Sequence, residues 1–170
     1  MSELVVIGEK SGLFTPQVRA EIDKWIAKYP PGRQQSAVIP SLHILQRENK
    51  GSLSKALMQA LAVYLDMPEV SVFEVATFYS LYDLSPVGQH KMNLCTNVSC
   101  LLQGAEAISE HIQQRLQIRF GETTVDGMIT LKEVECLGAC CGAPMLQLDE
   151  TYHEDLTIEK VDALLDELMR

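Results

Sequence analysis

Lys91-Met-Asn-Leu-Cys-Thr-Asn-Val-Ser-Cys100 opens as a short strand, Lys91–Leu94, and ends in a loop that carries two cysteines. Downstream, Ala105, Ile108, Ile112 and Leu116 recur at helical spacing. Asp126-Gly127 is a hairpin-turn signal between Thr123–Val125 and Ile129–Glu135, and the second of these runs into Cys136. Pro144–Leu148 and Thr151–His153 are expected to pair across Asp149-Glu150. A last helix takes Thr157 as its cap and buries Val161, Leu164, Leu165 and Leu168. The order β-α-β-β-α suits a small α/β sandwich, with Thr123–Val125 either a separate strand or part of the turn. Both cysteine loops begin where a strand ends, so a sheet can bring them to one edge.

Upstream of this segment the pattern is helical. Thr15-Pro16 starts a helix, a capping oxygen followed by a ring already set to helical φ. Val18, Ile22, Trp25, Ile26 and Tyr29 form its apolar face, and Pro30-Pro31-Gly32 ends it. A second helix carries Val38, Leu42 and Leu45, with Pro40 near its first turn, and stops near Gly51. A third spans about 54–66 with Leu57, Leu61, Tyr64 and Leu65 inward. In the fourth, Ser71 and Glu74 read as a capping box and Val70 and Val75 as its staple. Phe73, Ala76, Thr77, Phe78 and Tyr79 then form an aromatic-rich stripe that reads as core. Ser85-Pro86-Val87-Gly88 is the linker, giving a helical domain over 1–88 and an α/β domain over 89–170.

The 170 residues are 46% apolar, as expected of a globular chain. Fourteen basic against 23 acidic residues leave a net charge of −9 without a run of Lys and Arg, so nucleic acid is not an expected partner. No stretch approaches the roughly 18 consecutive apolar residues that a membrane span requires. Met1–Phe14 has an apolar Leu4–Ile7 run but neither a basic start nor a small-residue cleavage site, which leads to the expectation of a cytoplasmic protein without direct membrane insertion.

The five cysteines all lie beyond residue 94. Cys95 and Cys100 are spaced C-x4-C; after 35 intervening residues Cys136 and Cys140 are spaced C-x3-C, with Cys141 adjacent. Clustered thiols in a reducing compartment are metal or redox ligands more often than disulfides. Thiolates suit a 2Fe–2S cluster, which needs four, or a zinc ion. The short C-x2-C knuckle that structural zinc favours is missing, as are the C-x-x-C redox pair and the plant-type ferredoxin spacing. The spacing weighs toward the cluster and leaves a zinc-stabilised interaction module as the rival.

Gly138, Ala139, Gly142 and Ala143 let backbone wrap closely around sulfur, and their N–H groups, with Thr96, Asn97 and Ser99, are candidate donors to it. No Lys or Arg lies in either loop, while Glu133 and Glu135 precede Cys136, so a low reduction potential is expected. Cys141 reads as a small buried hydrophobe, because neighbouring side chains diverge on extended backbone. His43, His90, His111 and His153 have no ligand spacing and read as solvated, with His90 nearest the cysteines in sequence. A Gly-rich phosphate loop and a nucleophile–base motif are both missing, so the chain is not expected to bind nicotinamide or flavin or to be catalytic alone.

At Cys95-x4-Cys100, Glu135-Cys-Leu-Gly-Ala-Cys140 and Ala143-Pro-Met145 the chain resembles the small 2Fe–2S subunit (the E type of bacteria) of respiratory NADH–quinone oxidoreductase (complex I). Glu74-Val-Ala-Thr-Phe-Tyr79, Pro86-Val-Gly88, Tyr152 and Glu154-Asp-Leu-Thr157 extend the likeness over most of the chain. The resemblance implies an N-terminal helical bundle followed by a thioredoxin-like α/β domain. It further implies one 2Fe–2S cluster on Cys95, Cys100, Cys136 and Cys140, leaving Cys141 out. The implied partner is a flavoprotein subunit that binds FMN and NADH, within a peripheral arm on the cytoplasmic side of the membrane. Related subunits of NAD-linked hydrogenases and formate dehydrogenases share the ligand pattern and stay open as alternatives. The helix around Val72–Tyr79 and the cysteine loops are the expected contact with the flavoprotein.

Overall fold

The computed structural model describes residues 13–169, and the Leu4–Ile7 run lies outside them. The chain divides into two compact units between Pro86 and Val87.

The first unit holds helices α1 (Pro16–Ile26), α2 (Val38–Glu48), α3 (Lys55–Tyr64) and α4 (Glu69–Phe78), with a 3-10 turn, Gln34–Ala37, leading into α2. Thr15 Oγ1 accepts from Val18 N and Ser54 Oγ from Leu57 N, so two of the four helices start on side-chain caps. Ile22, Leu42, Leu61, Leu65 and Val72 meet in one fully buried core. Trp25 departs from the expected apolar face of α1: it is 37% exposed, with the Lys28 ammonium 3.4 Å from the ring centroid.

The start of α4 also differs from the capping-box reading. Pro68, with φ −60° set by its ring, occupies the cap position, and Ser71 N already bonds Pro68 O. Ser71 therefore lies inside the first turn, and Val70, 61% exposed, staples nothing. Val72 and Ala76 are buried and Phe73 packs on the core, but Phe78 and Tyr79 face outward against each other at 5.0 Å. The segment after α4 is fastened by Gln46, whose Nε2 donates to Leu81 O and whose Oε1 accepts from Asp83 N.

The second unit runs β1 (His90–Cys95), α5 (Val98–Leu102), α6 (Ala105–Leu116), β2 (Ile129–Val134), β3 (Leu146–Leu148), β4 (Thr151–His153) and α7 (Ile158–Leu168). The sheet order is β2-β1-β3-β4, with β1 parallel to β2 and the other pairs antiparallel. Alternation places Met92 and Leu94, Ile129 and Leu131, and Leu146 and Leu148 in one core. Ile108, Ile112, Val161 and Leu165 of α6 and α7 join it, so the unit is a sheet with helices packed on this face. Thr157 caps α7 through Lys160 N as expected.

Two local readings change. Thr123–Val125 contributes a single antiparallel bridge, Thr123 to Thr130, and is not a strand; the Asp126-Gly127 turn itself stands, with Asp126 Oδ1 accepting from Met128 N. A short helix, α5, intervenes between β1 and α6, while the two strands expected after β2 form and pair, so the full order is β-α-α-β-β-β-α.

Candidate metal centre

Parallel neighbours end on the same side of a sheet, and this unit uses that edge. β1 pairs with β2 in a register that sets Cys95 opposite Val134, two residues before Cys136. The ladder continues one step further, with Thr96 N donating to Val134 O. On the other side Cys95 N donates to Met145 O at the entry to β3, just after the cis Ala143–Pro144 peptide. Cys95 has the parity of Asn93, opposite to that of Met92 and Leu94, and so turns away from the main core. It joins Cys100, Ala105 and Met145 in a separate buried cluster, flanked by Leu137, Ala139 and Ala143.

The four expected ligands come together as two pairs. Cys95 and Cys100, 2% and 1% exposed, hydrogen-bond each other. Cys136 and Cys140 stand at the surface with their Sγ atoms 3.4 Å apart. Two thiolates on one tetrahedral metal with bonds of about 2.3 Å lie about 3.8 Å apart, close to that spacing. The pairs also feel one another: Cys140 acts electrostatically on Cys100, and Cys95 on Cys140. Burial, then the Cys95 hydrogen bond, pushes the Cys100 thiol up to about 11. The hydrogen bond with Cys136 raises Cys140, with Ser99 opposing. Crowded sulfurs that hold their protons are what a cation among them would relieve.

Among the described residues, no group of three or more His, Cys, Asp or Glu side chains is arranged around a single-ion position. Two pairs of sulfurs suit the donor set of a two-iron cluster, two thiolates per iron. The backbone fits as well. Gly138, at φ +86°, turns its N–H onto Cys136 Sγ at 3.3 Å. Gly142 lets the next turn pass Glu154, where a Cβ would come within 2.6 Å of the Glu154 Cβ.

Several expected roles are redistributed. Thr96 and Asn97 do not donate to sulfur through their side chains: Thr96 Oγ1 donates to Glu133 Oε1 at 2.8 Å and Asn97 Nδ2 to Glu135 Oε2 at 2.6 Å. Gly142 N is taken by Ala139 O. Ser99 keeps its expected place beside Cys140. Cys141 is exposed, not buried, because the 3-10 turn Cys140–Gly142 carries it around the surface. His90 pairs with Asp149 at 2.8 Å, and it begins the strand that Cys95 ends, about 16 Å away. His111 pairs with Asp162 at 2.7 Å, and His43 meets the Tyr82 ring edge-on.

The residue-type pattern alone missed two supports. Tyr152 Oη donates to Leu137 O at 2.9 Å and ties the second cysteine loop to β4. Val98, Leu101 and Leu102 of α5, the last 79% exposed, flank Cys100 with apolar surface. The signal for the second was present in the sequence, as three apolar residues around one cysteine in too short a span to bury them all.

Residues 22–169 match the family described as thioredoxin-like [2Fe-2S] ferredoxin. The E subunit of the NADH-quinone oxidoreductase of Rickettsia felis is 44% identical over 142 residues, covering 84% of this chain and 85% of the relative. The E 2 subunit of the NADH-quinone oxidoreductase of Rhizobium meliloti is 45% identical over 149 residues, covering 88% and 87%. Among solved structures, a chain of an NAD+-reducing [NiFe]-hydrogenase in the H2-reduced state aligns with a TM-score of 0.67 at 19% identity. That alignment covers 78% of this chain and only 22% of the longer hydrogenase chain, and it is a likeness of fold. The sheet edge that gathers two pairs of thiols and the extent of these matches lead to one conclusion: the chain belongs to the thioredoxin-like [2Fe-2S] ferredoxin family.

Proposed function

We propose that this chain is the 2Fe–2S electron-transfer subunit of an NADH–quinone oxidoreductase, with Cys95, Cys100, Cys136 and Cys140 as the ligands of one cluster. The observation that carries the reading is the meeting of two sulfur pairs at the end of the β1–β2 ladder. When bound, such a cluster supplies reversible one-electron transfer.

The protein's own groups divide the work. Cys95 and Cys100 are buried, which keeps water from one side of the site. Cys136 and Cys140 are exposed, so a partner's redox group approaches closest on their side. The Gly138 N–H donates to the Cys136 sulfur and favours extra negative charge there. The carboxylates of Glu133 and Glu135 oppose an added electron, and the loops hold no Lys or Arg to offset them.

In this reading the electron partner is a flavoprotein subunit that binds FMN and NADH, and the assembly forms the peripheral arm on the cytoplasmic side of the membrane. No helix among the described residues is long and apolar enough to cross a membrane. The 44–45% identity to oxidoreductase subunits favours this assembly over a hydrogenase, for which the likeness is at 19% identity. Exposed Phe78 and Tyr79 of the helical unit, and separately Val98, Leu101 and Leu102 of α5, are apolar surfaces suited to docking.

Anaerobic purification with metal analysis, reduced-state EPR and identification of the co-purifying flavoprotein tests the proposal. The expected result is two irons and two acid-labile sulfides per chain, with a signal on reduction. One zinc per colourless, EPR-silent chain would overturn it.

A further inference from the structure

Asn97 stands between the two cysteine loops and has both ends of its amide occupied. Its Oδ1 accepts from Val98 N at 2.8 Å and caps α5, the helix that carries Cys100. Its Nδ2 donates to Glu135 Oε2 at 2.6 Å, and Glu135 is the residue before Cys136. One residue earlier on the first loop, Thr96 Oγ1 donates to Glu133 Oε1 at 2.8 Å, so the brace is doubled next to Cys95. We infer that the Asn97–Glu135 link is a positioning device that sets the separation of the buried and the exposed cysteine pairs. This inference rests on the four-cysteine ligand set proposed above.

The physical argument is one of stiffness. The β1–β2 ladder ends at Thr96 and Val134, so beyond it the two loops lose their backbone bonds to each other. Ligands on two segments that no backbone bond joins to each other beyond that point lose conformational entropy when they converge. A charge-assisted hydrogen bond from an amide to a carboxylate, made before metal arrives, removes part of that cost. The acidity that disfavours reduction is thus retained at positions where a carboxylate also braces the loops.

Charge and geometry separate experimentally. Asn97→Ser keeps an N-cap but is too short to reach Glu135; Asn97→Asp keeps the cap and sets like charges face to face. Glu135→Gln keeps the acceptor and removes the charge, whereas Glu135→Ala removes both. The chains are loaded with cluster, and iron release to a ferrous chelator and the reduction potential are measured on each. Iron release should quicken about tenfold in Asn97→Ser and Glu135→Ala, more in Asn97→Asp, and less than about twofold in Glu135→Gln. The potential should rise in Glu135→Gln and stay near wild type in Asn97→Ser. Circular dichroism of the metal-free chains should match wild type throughout.

Wild-type release rates in Asn97→Ser and Glu135→Ala, with the cluster present, would overturn the inference and leave the ligand set standing. Equal acceleration in Glu135→Gln and Glu135→Ala would also overturn it, since charge alone would then be responsible. A wild-type chain that takes up no 2Fe–2S cluster would sink the ligand set and the inference together.

Discussion

Cys95 lies in register with Val134 across the parallel β1–β2 ladder, and this pairing brings the two cysteine loops side by side. A slip of one residue would turn Cys95 onto the face of Met92 and Leu94 and bury it in the main core. The apolar alternation on both strands opposes that slip, so the packing of the core also holds the register of the site.

The ligand set leads to a discriminating series. Serine at Cys95, Cys100, Cys136 or Cys140 should bring iron below half the wild-type content, while Cys141→Ser should retain it. Iron and acid-labile sulfide analysis on each purified variant is the check. Full iron in any of the four, or its loss with Cys141→Ser, would refute the assignment.

Gly142→Ala should destabilise the second unit by about 1–3 kcal/mol. The new methyl meets Glu154, and the Gly142 carbonyl is already fixed by Asp155 N at 2.7 Å. Thermal unfolding of wild type and variant would show the loss. Gly142→Ala with Glu154→Gly should recover part of it, because the Glu154 Cβ and carboxylate that the methyl meets are then both removed.

Tyr82 gives the helical unit an alkaline limit. Its hydroxyl donates to Ile39 O at 2.9 Å in a buried setting, and burial pushes its pKa well above the ordinary 10. A raised folded value keeps the full contribution below about pH 10, the unfolded value, and loses it as pH rises from there, since the unfolded chain ionises first. Tyr82→Phe should cost about 0.5–1.5 kcal/mol at neutral pH yet shrink the loss above about pH 10. Urea unfolding on either side of that pH measures both; an unchanged alkaline slope would refute the role.

Phe78 is 80% exposed, which suits it to contact with a partner in the proposed assembly. Phe78→Asp should change stability by no more than about 0.5 kcal/mol and reduce the flavoprotein recovered by affinity purification several-fold. Undiminished recovery would remove this surface from the interface.

The reduction potential should be low, because the carboxylates of Glu133 and Glu135 stand beside the site and no cation lies in either loop. A redox titration that places it at or above zero against the standard hydrogen electrode would contradict that balance of charges.

The sequence by itself determined what local rules and spacing can express. Thr15-Pro16 and Thr157 cap helices in the structure as they read, and the runs Ile129–Glu135, Pro144–Leu148 and Thr151–His153 marked where β2, β3 and β4 form. The cysteine spacing named the candidate donors. Tertiary structure alone decided the rest. Whether Phe78 or Cys141 is covered depends on what packs nearby, and a periodic pattern cannot report a neighbour that is distant in the chain. The same holds for Asn97 and Glu135: the sequence offers one as a donor to sulfur and the other as a charge before Cys136, and only the parallel ladder that sets the two loops side by side makes them partners.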